Sequence, residues 1–160
     1  RRRARIAETT IDGLPLFKPP WARMTAIDMN RGEVLWVSPL GNGPRNHPLL
    51  RDLDLPPLGD HIDGQSVLVT KTLVFAAVWK RDRRDGGRLT PSWDPWGDPD
   101  AGRKLVYAFD KQSGDILHVV EMDGFSASAP MSYVHDGKQY LAMTVGGNED
   151  NALIALSLPN

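Results

Sequence analysis

The chain has 160 residues, a formal net charge of −1 and no cysteine. That length allows a sizeable core. The balanced charge gives no field toward nucleic acid or an anionic membrane, and the lack of cysteine excludes disulfides, thiolate metal sites and cysteine nucleophiles.

The N-terminal run Arg1-Arg2-Arg3-Ala4-Arg5 has no apolar stretch behind it, so it does not read as a signal peptide. It reads as a solvated arm. The first residue is Arg rather than Met, and the expectation is a piece of a longer protein. Fifteen glycines and thirteen prolines imply many turns, and no apolar run approaches the roughly 20 residues of a membrane helix. Apolar residues come instead in short alternating or β-branched runs between turn signals. Met24–Asp28 and Glu33–Val37 are a predicted hairpin turning at Gly32. Val67–Thr70 and Thr72–Val78 form a second around Lys71. Lys104–Asp110 and Asp115–Glu121 form a third through Ser113-Gly114. Ala129–Val134 and Gln139–Val145 form a fourth, with Asp136-Gly137 as its turn pair. Ala152–Leu158 is a last strand, stopped by Pro159. Residues 38–65 and 80–102 read as long loops. The second carries Trp93 and Trp96, which suit a segment folded over a neighbouring surface.

An eleven-residue pattern occurs twice, as Ala26–Trp36 and Ala108–His118, and both copies read A-x-D-x-x-x-G-[DE]-x-L-x with a ring at the end. The glycine accommodates φ > 0 in a tight turn. The acid accepts backbone N–H groups there, and the alanine lets a neighbour approach. Trp36 has a large apolar body and one N–H donor, so it suits docking on the next unit; His118 is a weaker, more polar anchor. These roles are structural, and turn-capping rather than catalysis is the reading of Asp28 and Asp110.

The hairpins group into units. Val67–Val78 with Lys104–Glu121 gives four antiparallel strands, one blade of a β-propeller. Met24–Val37 supplies the last two strands of the blade before, and Ala129–Val145 with Ala152–Leu158 three strands of the one after. The fold class is therefore all-β: a partial β-propeller of about two and a half four-stranded antiparallel blades, whereas closed propellers have about 4–8. Residues 1–160 form one such fragment, needing the rest of the propeller or a second copy to cover its end blades.

The repeat resembles the tryptophan-docking motif of quinoproteins, the PQQ-dependent dehydrogenases with an eight-bladed propeller, although Arg31 and Ser113 stand where that family usually has Thr. Gly13-Leu14-Pro15-Leu16-Phe17-Lys18-Pro19-Pro20-Trp21, leading into Thr25–Asp28, resembles a stretch of the membrane glucose dehydrogenase branch. So do Ser66–Lys71, Ala129–Tyr133, Asp136–Tyr140, Gly146-Gly147 and the closing Ile154–Pro159. The resemblance implies the C-terminal part of an enzyme that oxidises a sugar or alcohol, with PQQ as hydride acceptor and Ca²⁺ polarising its quinone. It implies electron transfer to a quinone or cytochrome, and a location in the periplasm or on a membrane facing it. The family's catalytic Asp and metal ligands lie in earlier blades, so no catalytic or metal residue is assigned here, and the chain alone is expected to be inactive. Two positions correspond to pocket rim: Gly64-Gln65, in the turn before the Val67 strand, for cofactor, and Gly147-Asn148 for substrate. Asn148 replaces a His common in glucose-type members. Arg103 aligns where the family often has Asp, with Asp98 and Asp100 nearby.

The four histidines, His47, His61, His118 and His135, fit no tight ligand spacing. Asp82, Asp85, Asp94, Asp98 and Asp100 lack the pattern of a Ca²⁺ loop. The alternative function is a non-catalytic propeller scaffold that binds proteins, of the outer-membrane assembly lipoprotein type. The segments Gly13–Trp21 and Gly146–Asn148 favour the enzyme, because a scaffold has no use for funnel-facing elements.

Overall fold

The computed structural model describes residues 10–12, 14–59, 64–79, 103–126, 128–146 and 151–157. Among these, all regular structure is β. The strands are β1 (Thr10–Ile11), β2 (Leu14–Pro15), β3 (Arg23–Asp28), β4 (Glu33–Pro39), β5 (Gly64–Val69), β6 (Leu73–Trp79), β7 (Lys104–Asp110), β8 (Ile116–Glu121), β9 (Phe125–Ser126), β10 (Met131–His135), β11 (Lys138–Gly146) and β12 (Asn151–Ser157). The chain divides into two compact units.

The larger unit holds residues 24–38, 62–82 and 102–160, and three antiparallel sheets lie in it. The central sheet has the order β5-β6-β7-β8. Its inner strands are apolar on both faces, as strands covered on both sides must be: Val74, Ala76, Ala77 and Val78 of β6 and Leu105, Val106, Tyr107 and Phe109 of β7 are all buried. The hairpin β3-β4 is a separate two-stranded sheet. The last sheet has the order β10-β11-β12, with β9 also on β11.

The core of this unit joins two sheets. Ala77 and Val106 of the central sheet and Met122 beside it cluster with Leu141, Met143 and Val145 of β11, and Leu68, Phe75, Val120, Ile154 and Leu156 pack around them. Residues 141, 143 and 145 alternate along β11 and so share one face. Burying each such side chain contributes about 1.5–3 kcal/mol. Met143→Asp would place an unpaired charge there and separate the two sheets.

The predicted blade is present in its predicted strand order. The boundaries differ: β4 runs on to Pro39 and β5 starts at Gly64, so strands enter both ends of the loop expected at 38–65. Two features were not predicted. β9 continues into β10 as one interrupted strand, because Phe125 pairs with Gly146 and Ser126 with Val145, whereas Met131 pairs with Ala142. The outer strand therefore carries two more residues than β11 between the paired stretches, a bulge. Thr144 holds it: its Oγ1 donates to Ser128 Oγ at 2.7 Å, and its N–H to the same oxygen at 3.4 Å. The second is the short pair β1-β2.

The smaller unit contains β1, β2 and the segment from Pro39 to Gly59. Backbone bonds fold that segment without strands. Leu40 N–H donates to Ala22 O at 3.0 Å, Trp21 N–H to Leu58 O at 2.9 Å, and Leu58 N–H to Asn42 O at 3.0 Å. Leu40, 1% exposed, and His47, 2% exposed, are buried in it.

Candidate functional site

The two copies of the repeat form the same local structure. In each, the acid ends a strand and its Oδ1 accepts the N–H groups two and three residues on. Asp28 accepts from Asn30 at 2.9 Å and Arg31 at 3.3 Å; Asp110 accepts from Gln112 and Ser113, both at 2.8 Å. The glycine closes the turn, with Gly32 N–H on Asp28 O at 2.7 Å and Gly114 N–H on Asp110 O at 2.9 Å. Both glycines have positive φ, +68° and +79°, which costs any other residue its Cβ clearance. The bonds from the Ser113 and Gln112 N–H groups hold the Asp110 carboxyl below its ordinary value of 3.8.

The ring that ends the first copy docks on the second. Trp36 Nε1 donates to Lys111 O at 2.9 Å, across 75 residues of sequence. The indole lies over Gly114, where a Cβ would stand 2.5 Å from its Cδ2 and Cε3 atoms. It also stacks on Phe109, with centroids 6.5 Å apart and planes 14° from parallel. Phe109 is fully buried and stacks in turn on Tyr107 at 6.0 Å. Phe109 and the Lys111 carbonyl were not identified from sequence, since nothing local marks them as partners of residue 36. His118, which ends the second copy, is exposed on the outer strand β8.

The residues expected at a cofactor or substrate rim are not brought together among the described residues. Gly64 and Gln65 are the first two residues of β5, paired with Trp79 and Val78, rather than a turn ahead of the strand. The strand starts early because β6 runs far enough to partner both. Gly147 and Asn148 lie outside the described residues, as do Trp93, Trp96, Asp82, Asp85, Asp94, Asp98, Asp100 and His61. Gly146, immediately before the Gly147-Asn148 pair, ends β11 opposite Asn151. Arg103 leads into β7, and its Nε and Nη2 both donate to Glu121 Oε2, at 3.1 and 3.0 Å. That bond is the main reason the Glu121 carboxyl sits below its ordinary value of 4.5.

The histidines of the described residues stand apart. His47 is a packing residue: Leu49 N–H donates to its Nδ1 at 3.1 Å, so the ring proton is on Nε2, which bonds Asp12 O at 2.9 Å. His135 is exposed and lies 3.4 Å from Asp136. Among the described residues no group of three His, Asp or Glu side chains is placed to hold a metal ion. These residues form no site for Ca²⁺, and no chemical step is derived through it or through a quinone cofactor.

Residues 3–141 match the PQQ glucose/ethanol/alcohol dehydrogenase beta-propeller domain. The chain is 28% identical over 156 residues to a glycerol dehydrogenase large subunit of Gluconobacter oxydans (strain 621H), covering 92% of this chain and 18% of that protein. It is 30% identical over 138 residues to a quinate/shikimate dehydrogenase (quinone) of Acinetobacter baylyi, covering 84% of this chain and 14% of the relative. It is 22% identical over 154 residues to quinoprotein glucose dehydrogenase A of Acinetobacter calcoaceticus, covering 92% of this chain and 16% of that enzyme. No solved structure matches significantly. The chain thus spans less than a fifth of the length of these relatives. All-β sheets of two to four antiparallel strands, a repeated Asp-turn-Gly hairpin and a match over most of its length together make this chain a member of the PQQ-dependent dehydrogenase β-propeller family.

Proposed function

We propose that the chain is the C-terminal part of the propeller of a PQQ-dependent dehydrogenase that oxidises the hydroxyl of a polyol, sugar or alcohol. The family match over residues 3–141 carries this reading. The relatives named for glycerol, quinate/shikimate and glucose support the substrate class, since all those compounds present a carbinol carbon to be oxidised. Bound PQQ, with Ca²⁺ at its quinone, would supply the two-electron acceptor. The electrons would pass to a quinone or cytochrome in the periplasm or at the membrane facing it.

Within that enzyme this chain's part is mainly architectural. The repeat serves as the family's tryptophan-docking motif, with Trp36 fixing one blade to the next through Lys111 O and Gly114. Gly64-Gln65 and Gly147-Asn148 are its proposed points of contact with cofactor and substrate. The base and the metal ligands belong to blades outside this chain.

The test is a dye-linked dehydrogenase assay with glycerol, quinate and glucose, run on the full-length reading frame and on this 160-residue chain, each with PQQ and Ca²⁺. The full-length protein should turn over one of these substrates only when PQQ is added, and the chain alone should not. A full-length protein lacking both that activity and an upstream Asp base with metal-binding Glu and Asn would make it a scaffold. Turnover by the chain alone would refute the assignment of the chemistry upstream.

A further inference from the structure

One end of the central sheet leads directly into the end of the last sheet. Gly64 begins β5, Trp79 ends β6 and Lys104 begins β7, and the three stand in one register row. Met122 N–H donates to Lys104 O at 2.8 Å. Two residues on, Gly124 lies close against the end of β11: an added Cβ would stand 3.2 Å from Gly146 O and 3.2 Å from Val145 Cβ. β9, which pairs with Val145 and Gly146, also lies against β6. The end of β6 and the end of β11 are therefore neighbours. Gly64 of the proposed cofactor contact stands at this end in the central sheet. Gly146, immediately before the proposed substrate contact Gly147-Asn148, stands at it in the last sheet.

Trp79 is the bulkiest side chain of that row, and alternation fixes the side it takes. Ala77 belongs to the core shared with Leu141, Met143 and Val145 of β11. The pairing of β6 with β5 and β7 is regular through Trp79, so Trp79, two residues beyond Ala77, lies on the same face. The shared core stops at Ala77 and Val145, and the indole extends past it. Ala77 is 1% exposed and Val78 8%, whereas Trp79 is only half-buried. Directly opposite Trp79 on β5 is Gly64, which has no side chain. Facing residues of paired strands hold their Cβ positions about 4.5–5.5 Å apart, so a group held against the Gly64 backbone lies beside the indole. No motif marks Trp79: it is outside the repeat and outside both proposed contact pairs.

We infer that Trp79 is a substrate-contacting residue that sets specificity, its indole forming the wall on which the carbon face of a cyclic polyol lies. An indole presents a flat apolar face that carries the negative side of its quadrupole. A polyhydroxylated ring presents a matching face of polarised C–H groups and keeps its hydroxyls at the edge for hydrogen bonds. An acyclic polyol has no fixed flat face, and ordering one costs binding free energy. A largely apolar wall with a few polar groups around it is the usual make-up of a small-molecule site. The inference rests on the dehydrogenase reading and narrows its substrate class to ring polyols.

The test compares the full-length protein with its Trp79→Ala and Trp79→Phe variants, each with PQQ and Ca²⁺. Glucose and quinate are the cyclic substrates and glycerol the acyclic one. The wild type should have its highest kcat/KM on a cyclic substrate. Trp79→Ala should raise KM for that substrate by about tenfold, the scale of one aromatic contact. Its kcat should stay within about threefold, because the contact is made equally before and during the reaction. Trp79→Phe keeps an aromatic face and should restore KM to within about threefold of wild type. A preference for glycerol, or an unchanged KM in Trp79→Ala, refutes the inference. A second measurement needs no variant. A tryptophan-selective alkylating reagent is applied to the wild type without dye, and labelling is read by peptide mass spectrometry. The cyclic substrate should slow labelling of Trp79 by at least about threefold, as occupancy at a few times Kd requires. Labelling of Trp36, docked on Lys111 O and Gly114, should not change. A Trp79 that does not label, or labels at the same rate with substrate, refutes the inference. Turnover with an unprotected Trp79 sinks only this inference. Protection of Trp79 by the cyclic compound in a protein without turnover sinks only the dehydrogenase reading.

Discussion

Replacing Gly114 by Ala tests how the repeat joins one sheet to the next. The residue has φ +79°, and an added Cβ would lie 2.5 Å from Trp36 Cδ2 and Cε3. The left-handed backbone conformation alone costs a non-glycine residue about 1–2 kcal/mol. Carbon atoms prefer about 3.5–4.0 Å, so the indole must retreat by roughly 1 Å. That movement breaks the Nε1 bond to Lys111 O, worth about 1 kcal/mol, and loosens the stack on Phe109, worth about 0.5–1.5 kcal/mol. The total is about 2.5–4.5 kcal/mol. Gly32 supplies the control, because it has φ +68° and nothing within 4 Å of an added Cβ. Gly32→Ala should therefore cost only the backbone part, about 1–2 kcal/mol. Urea denaturation followed by far-UV circular dichroism compares the two. A double-mutant cycle closes the test: in a Trp36→Ala background Gly114→Ala should fall to the cost of Gly32→Ala. Equal costs for the two glycines in the wild-type background, or no change in the Trp36→Ala background, would refute the docking argument.

Asp110→Asn keeps an acceptor oxygen in the turn but removes its titration. Because the folded pKa of Asp110 is depressed by the Ser113 and Gln112 N–H groups, its contribution is fully present above the unfolded carboxylate pKa and is lost as pH falls through the folded value. The variant should therefore be less stable than wild type at neutral pH and converge with it in acid, as read from denaturation midpoints across pH; a gap that widens on acidification would contradict the assignment. His47→Ala leaves Asp12 O and Leu49 N–H without their ring partners and opens a cavity, at about 2–4 kcal/mol. The same denaturation assay checks it, and a cost below 1 kcal/mol would remove His47 from the packing of the smaller unit.

Much of the larger unit was legible in the sequence because its signals are local. The near-continuous apolar runs of Leu73–Trp79 and Leu105–Phe109 mark strands regardless of what they touch, and Ser113-Gly114 and Asp136-Gly137 mark turns by backbone preference. The bulge between β9 and β10 was not legible. Pro130 hints at an irregular edge, but the excess of residues appears only once β11 is alongside to count against. His47 fits no ligand spacing in the sequence, but its packing partners, 35 residues away at Asp12 and two away at Leu49, follow from the path of the smaller unit.

The sequence by itself determined the four main hairpins, the order of the central sheet and the family, though not the short strands β1, β2 and β9, because apolar runs, turn chemistry and repeat spacing are properties of neighbouring residues. Only the tertiary structure decided where the docking ring lands. The sequence marks Trp36 as a docking residue, and the fold brings Lys111 O and Gly114 to it. A hydrogen bond spanning 75 residues and a contact that requires the absence of a Cβ depend on where two strands come to lie, and no local preference encodes that.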